Sequence, residues 1–345
     1  MSHTVQNLPT AESCSSQDVM AMIKGYWKTQ AVYCMAKLGL ADLLAEGPKE
    51  SDALAQATET HPPSLYRLLR GLVSLGLLMQ GEDGHFALTP LGAYLRTGIP
   101  GSVHTWAIDS AERLWELWGH LLSSVKTGET AAQRVYGMEV FAYYAQFPEA
   151  AITFNAMMTA ITQTVAETVV AAYDFSPFRT IVDVGGSHGL LVSAILRTHP
   201  TMHGILFDMP HAMEGARQNL AAQGLSQRCE VVAGDFFEAV PAGGDVYILK
   251  SIIHDWDDAH STVILRNCYR AVPNAKLLLV ERIIPAHVEP SATHQALHQS
   301  DINMLVGGRE RTEAEFQALF RDAGFRLTAV IPTTSLYSII EGVPV

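Results

Sequence analysis

Five positions in the second half of the chain follow short apolar runs and carry groups that could do chemistry. They are Asp183-Val184-Gly185-Gly186, Asp208, Gly234-Asp235-Phe236, Lys250 and Glu281. If each run is a strand of one parallel sheet, these groups gather at a single edge, where ligands of such sheets bind. Asp208 comes 25 residues after Asp183. A carboxylate ending the second strand can accept hydrogen bonds from both hydroxyls of a ribose, since its two oxygens match a vicinal diol. The edge therefore reads as a nucleoside site.

The glycine turn narrows the ligand. In "DVGGSHG" the glycines are Gly185, Gly186 and Gly189, and Ser187 takes the place of the second glycine in the G-x-G-x-x-G register. That register lets a pyrophosphate rest on a helix N-terminus. Asp183 also puts negative charge near any phosphate. A ligand with an amino group, a sulfonium and no phosphate suits the turn better, which describes S-adenosylmethionine. His188 is expected to begin the next helix and point away.

These groups need a scaffold. From about residue 178 strands and helices alternate: "TIVDV", "GILFD", "CEVVAGD", "DVYILK" and "KLLLVER" read as strands, with helices between them. Their apolar runs suit a parallel sheet covered on both faces. The predicted fold class is α/β, a doubly wound Rossmann-like sheet over residues 173–345. Thr312 and Glu315 form a capping box that starts a late helix, followed by strands "RLTAVIP" and "SLYSIIEG". Asp258 is expected to cap the helix after "IIHDWD".

Residues 17–172 read as mostly helical, with residues 1–16 as a loose arm. Ile23, Trp27, Ala31, Cys34 and Leu38 recur at helical spacing and give one apolar face. Then come a helix, a turn at His61-Pro62-Pro63, a helix from Ser64 to about Leu75 and a hairpin with Asp83-Gly84 at its tip. This is a winged-helix pattern. Residues 36–98 carry five Lys/Arg against seven Asp/Glu, a net of −2. A DNA reader needs a basic stripe, so packing and dimerisation are the expected roles. Between residues 102 and 172 the aromatic residues either pack helices together or wall a flat pocket.

Composition excludes further classes. The chain has 345 residues, 48% hydrophobic and 17% charged, with a net charge of −12. Such a surface attracts neither nucleic acid nor an anionic membrane. Four scattered cysteines form no metal-ligand spacing and read as reduced thiols of a cytoplasmic protein. The polar N-terminus lacks the apolar core of a secretory leader, and no apolar run reaches the roughly 18 residues that span a bilayer.

Taken together, the chain resembles the class I S-adenosylmethionine-dependent O-methyltransferases. The similar branch includes plant caffeic acid, isoflavone and hydroxyindole O-methyltransferases and bacterial natural-product O-methyltransferases. The resemblance spans residues 20 to 341 and rests on "DVGGSHG", "FDMP", "AGDFFEAVP", "LKSIIHDWDD", "VERIIP" and "SDINMLVGGRERTEAEFQALFRDAGF" in that order. It implies that Asp183, Gly185 and Gly186 approach the cofactor, that Asp208 holds its ribose, that Asp235 and Phe236 flank its adenine, and that Lys250 lies at the same edge. It implies that His254 is the general base and that Glu281 and Glu310 hold the imidazole. Met158, Asp301, Asn303 and Met304 would line the acceptor pocket.

The chemistry agrees with that assignment. Methyl transfer is an in-line displacement, so the protein must place the attacking oxygen about 3 Å from the methyl carbon. A neutral imidazole can take the hydroxyl proton, and a carboxylate on its other nitrogen fixes the tautomer. A carboxylic acid acceptor would already be ionised, so a base favours a hydroxyl. No metal is expected. The expected protein is a homodimeric methyltransferase acting on a small aromatic hydroxyl compound. The rival readings are a relative that kept fold and cofactor but lost methyl transfer, and a winged-helix regulator that senses a nucleoside.

Overall fold

A computed structural model describes residues 15–271, 275–302 and 307–345, with Phe141 and His211 described by their backbone only. The chain separates into two compact units, Met1–Glu116 and Leu117–Val345. That division precedes the change of sequence pattern near residue 173. The reason is the helix Pro148–Ala172, whose Val165, Ala166 and Val169 are buried in the core of the second unit.

In the first unit the helix Pro62–Ser74 starts on its two prolines, where missing N–H groups cost nothing. Leu65, Leu69 and Leu72 face its core at helical spacing. The hairpin pairs β1 (Leu78–Gln80) with β2 (Phe86–Leu88), and Gly84 between them takes φ +83°. The winged-helix pattern is thus present. The predicted N-terminal helix is instead two, Ser16–Ile23 and Tyr26–Lys37, broken at Lys24-Gly25. Its apolar face is only partly covered within this unit: Ala31 is buried, but Ile23 is 61% and Trp27 39% exposed.

The second unit is built on a seven-stranded sheet. Its strands are β3 (Thr180–Val184), β4 (His203–Asp208), β5 (Cys229–Ala233), β6 (Val246–Lys250), β7 (Lys276–Arg282), β8 (Phe325–Pro332) and β9 (Tyr337–Pro344), in the order β5-β4-β3-β6-β7-β9-β8. The first five are parallel, and β9 and β8 run antiparallel at one side. Side chains alternate across the sheet. Ile181, Leu206, Ile248, Leu278 and Ile339 join one core with the helices Pro148–Ala172 and Leu190–Thr198. Val182, Val184, Phe207, Leu249, Leu279 and Ile340 join another with Asp258–Ala271 and Glu313–Ala323. Apolar strands buried on both faces are the physical cause of the doubly wound form. Because strand order reverses around β3, the loops after β3, β4 and β6 open a crevice at their carboxyl ends. No helix among the described residues is long and apolar enough to cross a membrane.

Candidate active site

The polar residues seen in sequence stand at those carboxyl ends. Gly185 takes φ +72°, and a Cβ there would lie 2.5 Å from Ile252 Cδ1. A Cβ on Gly186 would lie 2.6 Å from the Asp183 carboxyl carbon. Both positions are therefore packed too closely against Ile252, Asp183 and Leu206 for any residue with a Cβ. Ser187 follows in the left-handed region at φ +50°, a conformation that favours glycine. Its N–H donates to Asp208 Oδ2 at 2.7 Å, and the Met209 N–H donates to Oδ1 at 2.6 Å. Asp208 is thereby held beside the glycine turn.

The helix begins at Leu190, two residues later than expected for His188. The His188 ring lies over Gly215, where a Cβ would approach its Nε2 to 2.7 Å. Asp235 Oδ1 accepts the Phe237 N–H at 2.8 Å, and Phe236 Cε1 comes near Gly185. Lys250 Nζ donates to Thr162 Oγ1 at 3.0 Å, and burial lowers its pKa. Burial pushes the Asp183 carboxyl up to about 7. A glycine turn with a carboxylate held beside it suits a nucleoside carrying a sulfonium. Asp183, Gly185, Gly186, Asp208, Asp235, Phe236 and Lys250 are the residues that could hold it.

His254 sits on the short turn Ile253–Asp255 after β6. Its Nδ1 lies 3.3 Å from Glu310 Oε1, and its Nε2 lies 3.4 Å from Asp255 Oδ1. Glu281 is fully buried. Its Oε1 accepts the N–H groups of Ile252 (3.0 Å) and Ile253 (2.8 Å), so it grips the backbone leading into His254. One ligand-capable atom from each of His254, Glu281 and Glu310 lies within 4.8 Å of the others. Burial pulls the imidazole down, but Asp255, Glu281 and Glu310 outweigh it and hold it at about 9. Burial raises Glu281 to about 7. Burial also opposes ionisation of Glu310, yet His254, Ser300 and Arg282 hold its carboxyl below the usual range. Asp255 was not singled out in sequence, where an acid beside a histidine carries no distinguishing signal.

Two further residues aim the imidazole. Arg311 is fully buried. Its guanidinium donates to the carbonyls of Ile253 (2.9 Å) and Trp256 (2.6 Å), to Asp258 Oδ1 (2.9 Å) and to Ser261 Oγ (3.3 Å). Asp258 is thus spent on Arg311, and Asp257 caps the helix instead, accepting the His260 N–H at 2.8 Å. Gly308 takes φ +74°, and a Cβ there would fall 2.1 Å from the His254 carbonyl oxygen. The next residue, Arg309, donates its N–H to that same oxygen at 2.8 Å. "GGRERT" is therefore a clamp on the His254 turn, a role invisible without the tertiary contact. Gly308→Ala is expected to push Glu310 off Nδ1, lower turnover by about 10-fold or more and cost about 1–3 kcal/mol of stability. Thermal melts and turnover within error of the parent would refute the clamp.

Met158 is half-buried on Pro148–Ala172. Its carbonyl accepts the Thr162 hydroxyl that also meets Lys250, which brings this helix to the carboxyl end of β6. Asp301 ends the helix Ala292–Asp301 and lies 3.9 Å from His298 Nδ1. Asn303 and Met304 lie outside the described residues. Part of the aromatic stretch packs on itself: Tyr136 stacks on Tyr143 at 4.0 Å and Tyr144 on Phe154 at 4.5 Å.

A mostly parallel sheet with this strand order, a glycine turn, a strand-end acid and a buried histidine–carboxylate cluster fit an enzyme that binds a nucleoside. Comparison with known proteins gives the family. Residues 118–326 match the O-methyltransferase domain and residues 20–98 the O-methyltransferase dimerisation domain. The chain belongs to the S-adenosylmethionine-dependent O-methyltransferases. It is 47% identical over 333 residues to phenazine O-methyltransferase PhzM of Lysobacter antibioticus, covering 96% of each chain. It is 34% identical over 316 residues to 8-amino-8-demethylriboflavin N,N-dimethyltransferase of Streptomyces davaonensis, covering 90% of each. The solved O-methyltransferase NcsB1 from neocarzinostatin biosynthesis holds S-adenosylmethionine and 2-hydroxy-5-methyl naphthoic acid. It is 31% identical, with a TM-score of 0.79, covering 92% of this chain and 96% of that one.

Proposed function

We propose that this enzyme methylates a hydroxyl of a small fused-ring aromatic compound, with His254 as the general base. The observation that carries this is the pairing of Nδ1 with Glu310 while the ring remains 22% exposed. With its proton held on Nδ1 by Glu310, the imidazole would offer Nε2, which lies 3.4 Å from Asp255 Oδ1, to the acceptor hydroxyl. S-adenosylmethionine, when bound, supplies a methyl carbon already activated by positive sulfur. Asp208 and Lys250 are the residues that would orient it. The acceptor class follows the relatives, whose names specify phenazine, flavin and naphthoic acid rings.

The acting unit is a homodimer formed through the first domain. Val19, Met20, Met22, Ile23, Tyr26 and Trp27 expose an apolar strip on consecutive helices, which a second copy would cover. The reaction uses no metal. Arg282 Nη1, 3.6 Å from Glu310 Oε1, already balances charge where a dication would sit.

The test is transfer of labelled methyl from S-adenosylmethionine to a panel of fused-ring phenols and matched aryl amines. Label on phenols, undiminished after dialysis against a chelator, is expected. Label only on amines would move the acceptor to nitrogen, as in the flavin relative, and a rate lost to chelation and restored by a divalent ion would overturn the metal-free mechanism.

A further inference from the structure

We propose that Arg282 and Ser300 act as a positioning pair that fixes the direction of the hydrogen bonds at Glu310 and so sets the pH at which His254 becomes a base. This rests on the reading of His254 as the base.

Arg282 follows Glu281 at the end of β7, opposite Tyr337 of β9. Its guanidinium lies 4.9 Å from the centre of the buried Tyr337 ring, a cation–π contact that limits its freedom. From there Nη1 donates to Ser300 Oγ at 2.6 Å. Ser300 Oγ meets Glu310 Oε1 at 2.5 Å. Arginine has no acceptor, and an ionised carboxylate has no donor. The serine oxygen must therefore accept from Arg282, and its own proton must point to Glu310. The direction is settled by chemistry, without any observed hydrogen.

Glu310 Oε1 then divides its charge among three groups: the Ser300 hydroxyl, the Arg282 guanidinium and His254 Nδ1 at 3.3 Å. What the first two take, the imidazolium does not receive. The other groups around His254 come from every neighbouring element. Asp255 is on its own turn, Lys250 ends β6, Glu281 ends β7, Tyr337 starts β9, and Arg311 lies just past Glu310. Glu281 spends one oxygen on backbone N–H groups and Asp255 faces Nε2, so Glu310 is the acid that meets Nδ1. Arg282 and Ser300 are the pair that moderates it.

The sign follows directly. Without the Ser300 hydroxyl or the Arg282 charge, Glu310 stabilises imidazolium more strongly, and the proton leaves His254 at higher pH. In Ser300→Ala and Arg282→Gln, the acid limb of kcat/KM is expected to move up by about half to one pH unit, a roughly 3–10-fold loss on that limb. Most of that loss returns at alkaline pH. Ser300→Thr, which keeps the hydroxyl, should restore the parent limb. Arg282→Lys should restore it only in part, because lysine has charge without the fork.

The experiment is a set of pH–rate profiles for the four variants beside the parent dimer. An NMR titration of the His254 ring is run on the same variants. A limb moved upward, with Ser300→Thr at the parent position, supports the pair. A limb that stays, moves down, or falls by one factor at every pH overturns it. Should Arg282→Gln fail to fold, Ser300→Ala decides. Undiminished turnover in His254→Ala would sink the base assignment, whereas an inactive His254→Ala with an unmoved limb in Ser300→Ala sinks this inference alone.

Discussion

His254→Ala is expected to lower kcat by about 10²–10⁴-fold, the usual contribution of a positioned general base. Affinity for S-adenosylmethionine should change by no more than about threefold, because the loss falls on the transition state. Asp208 and the glycine turn, not the ring, are the residues proposed to hold the cofactor. Single-turnover methyl transfer and calorimetric titration of the cofactor separate the two quantities. Turnover within a few-fold of the parent would remove His254 from the mechanism.

The pH dependence makes the same case independently. Three carboxylates outweigh burial and hold the free imidazole at about 9. A base must be neutral, so kcat/KM for the cofactor, which reports the free enzyme, should climb with pH and level off near 9. Glu310→Gln removes a negative charge beside the ring, which destabilises imidazolium and should move the rise to lower pH. A profile flat between pH 6 and 8 in the parent would contradict both the base and its surroundings.

Arg311→Met is expected to cost about 3–5 kcal/mol, the range seen when one member of a buried charged network is removed. The cost does not come mainly from Asp258, whose side chain is 57% exposed and can turn to water. It comes from the carbonyls of Ile253 and Trp256, which lose charged donors in a buried setting. For a unit of this size the melting temperature should fall by roughly 10 °C. Arg311→Lys should recover little, because four acceptors spread around a fork need the planar guanidinium. Below the melting range, turnover should fall further than stability alone explains, since the turn that aims His254 is held from Arg311. Calorimetry paired with activity at low temperature tests this. A melt within about 1 °C of the parent would show that water replaces the guanidinium freely.

Much of this was legible in the residues. Apolar runs ending in Asp183, Asp208 and Lys250 marked the strands and their edge, because a strand buried on both faces must be apolar throughout and can turn polar only where it leaves the sheet. Thr312 and Glu315 marked the start of their helix, and the reciprocal capping bonds are present. Asp258 was misassigned because a cap is recognised locally, while Arg311 lies 53 residues away. The break at Lys24-Gly25 was missed because the apolar spacing continues through it.

The sequence by itself determined the doubly wound sheet, its polar strand-end edge and the winged-helix pattern, since each follows from periodicity and local turn chemistry. The family resemblance placed His254, Glu281 and Glu310 together before any coordinates. Only the tertiary structure decided how they divide their work. Glu310 meets the ring and Glu281 the backbone, Arg311 and Gly308 clamp the turn, and Ser300 and Arg282 bear on Glu310. These roles depend on distances between segments far apart in the chain, and no spacing along a sequence encodes which of two carboxylate oxygens faces an imidazole.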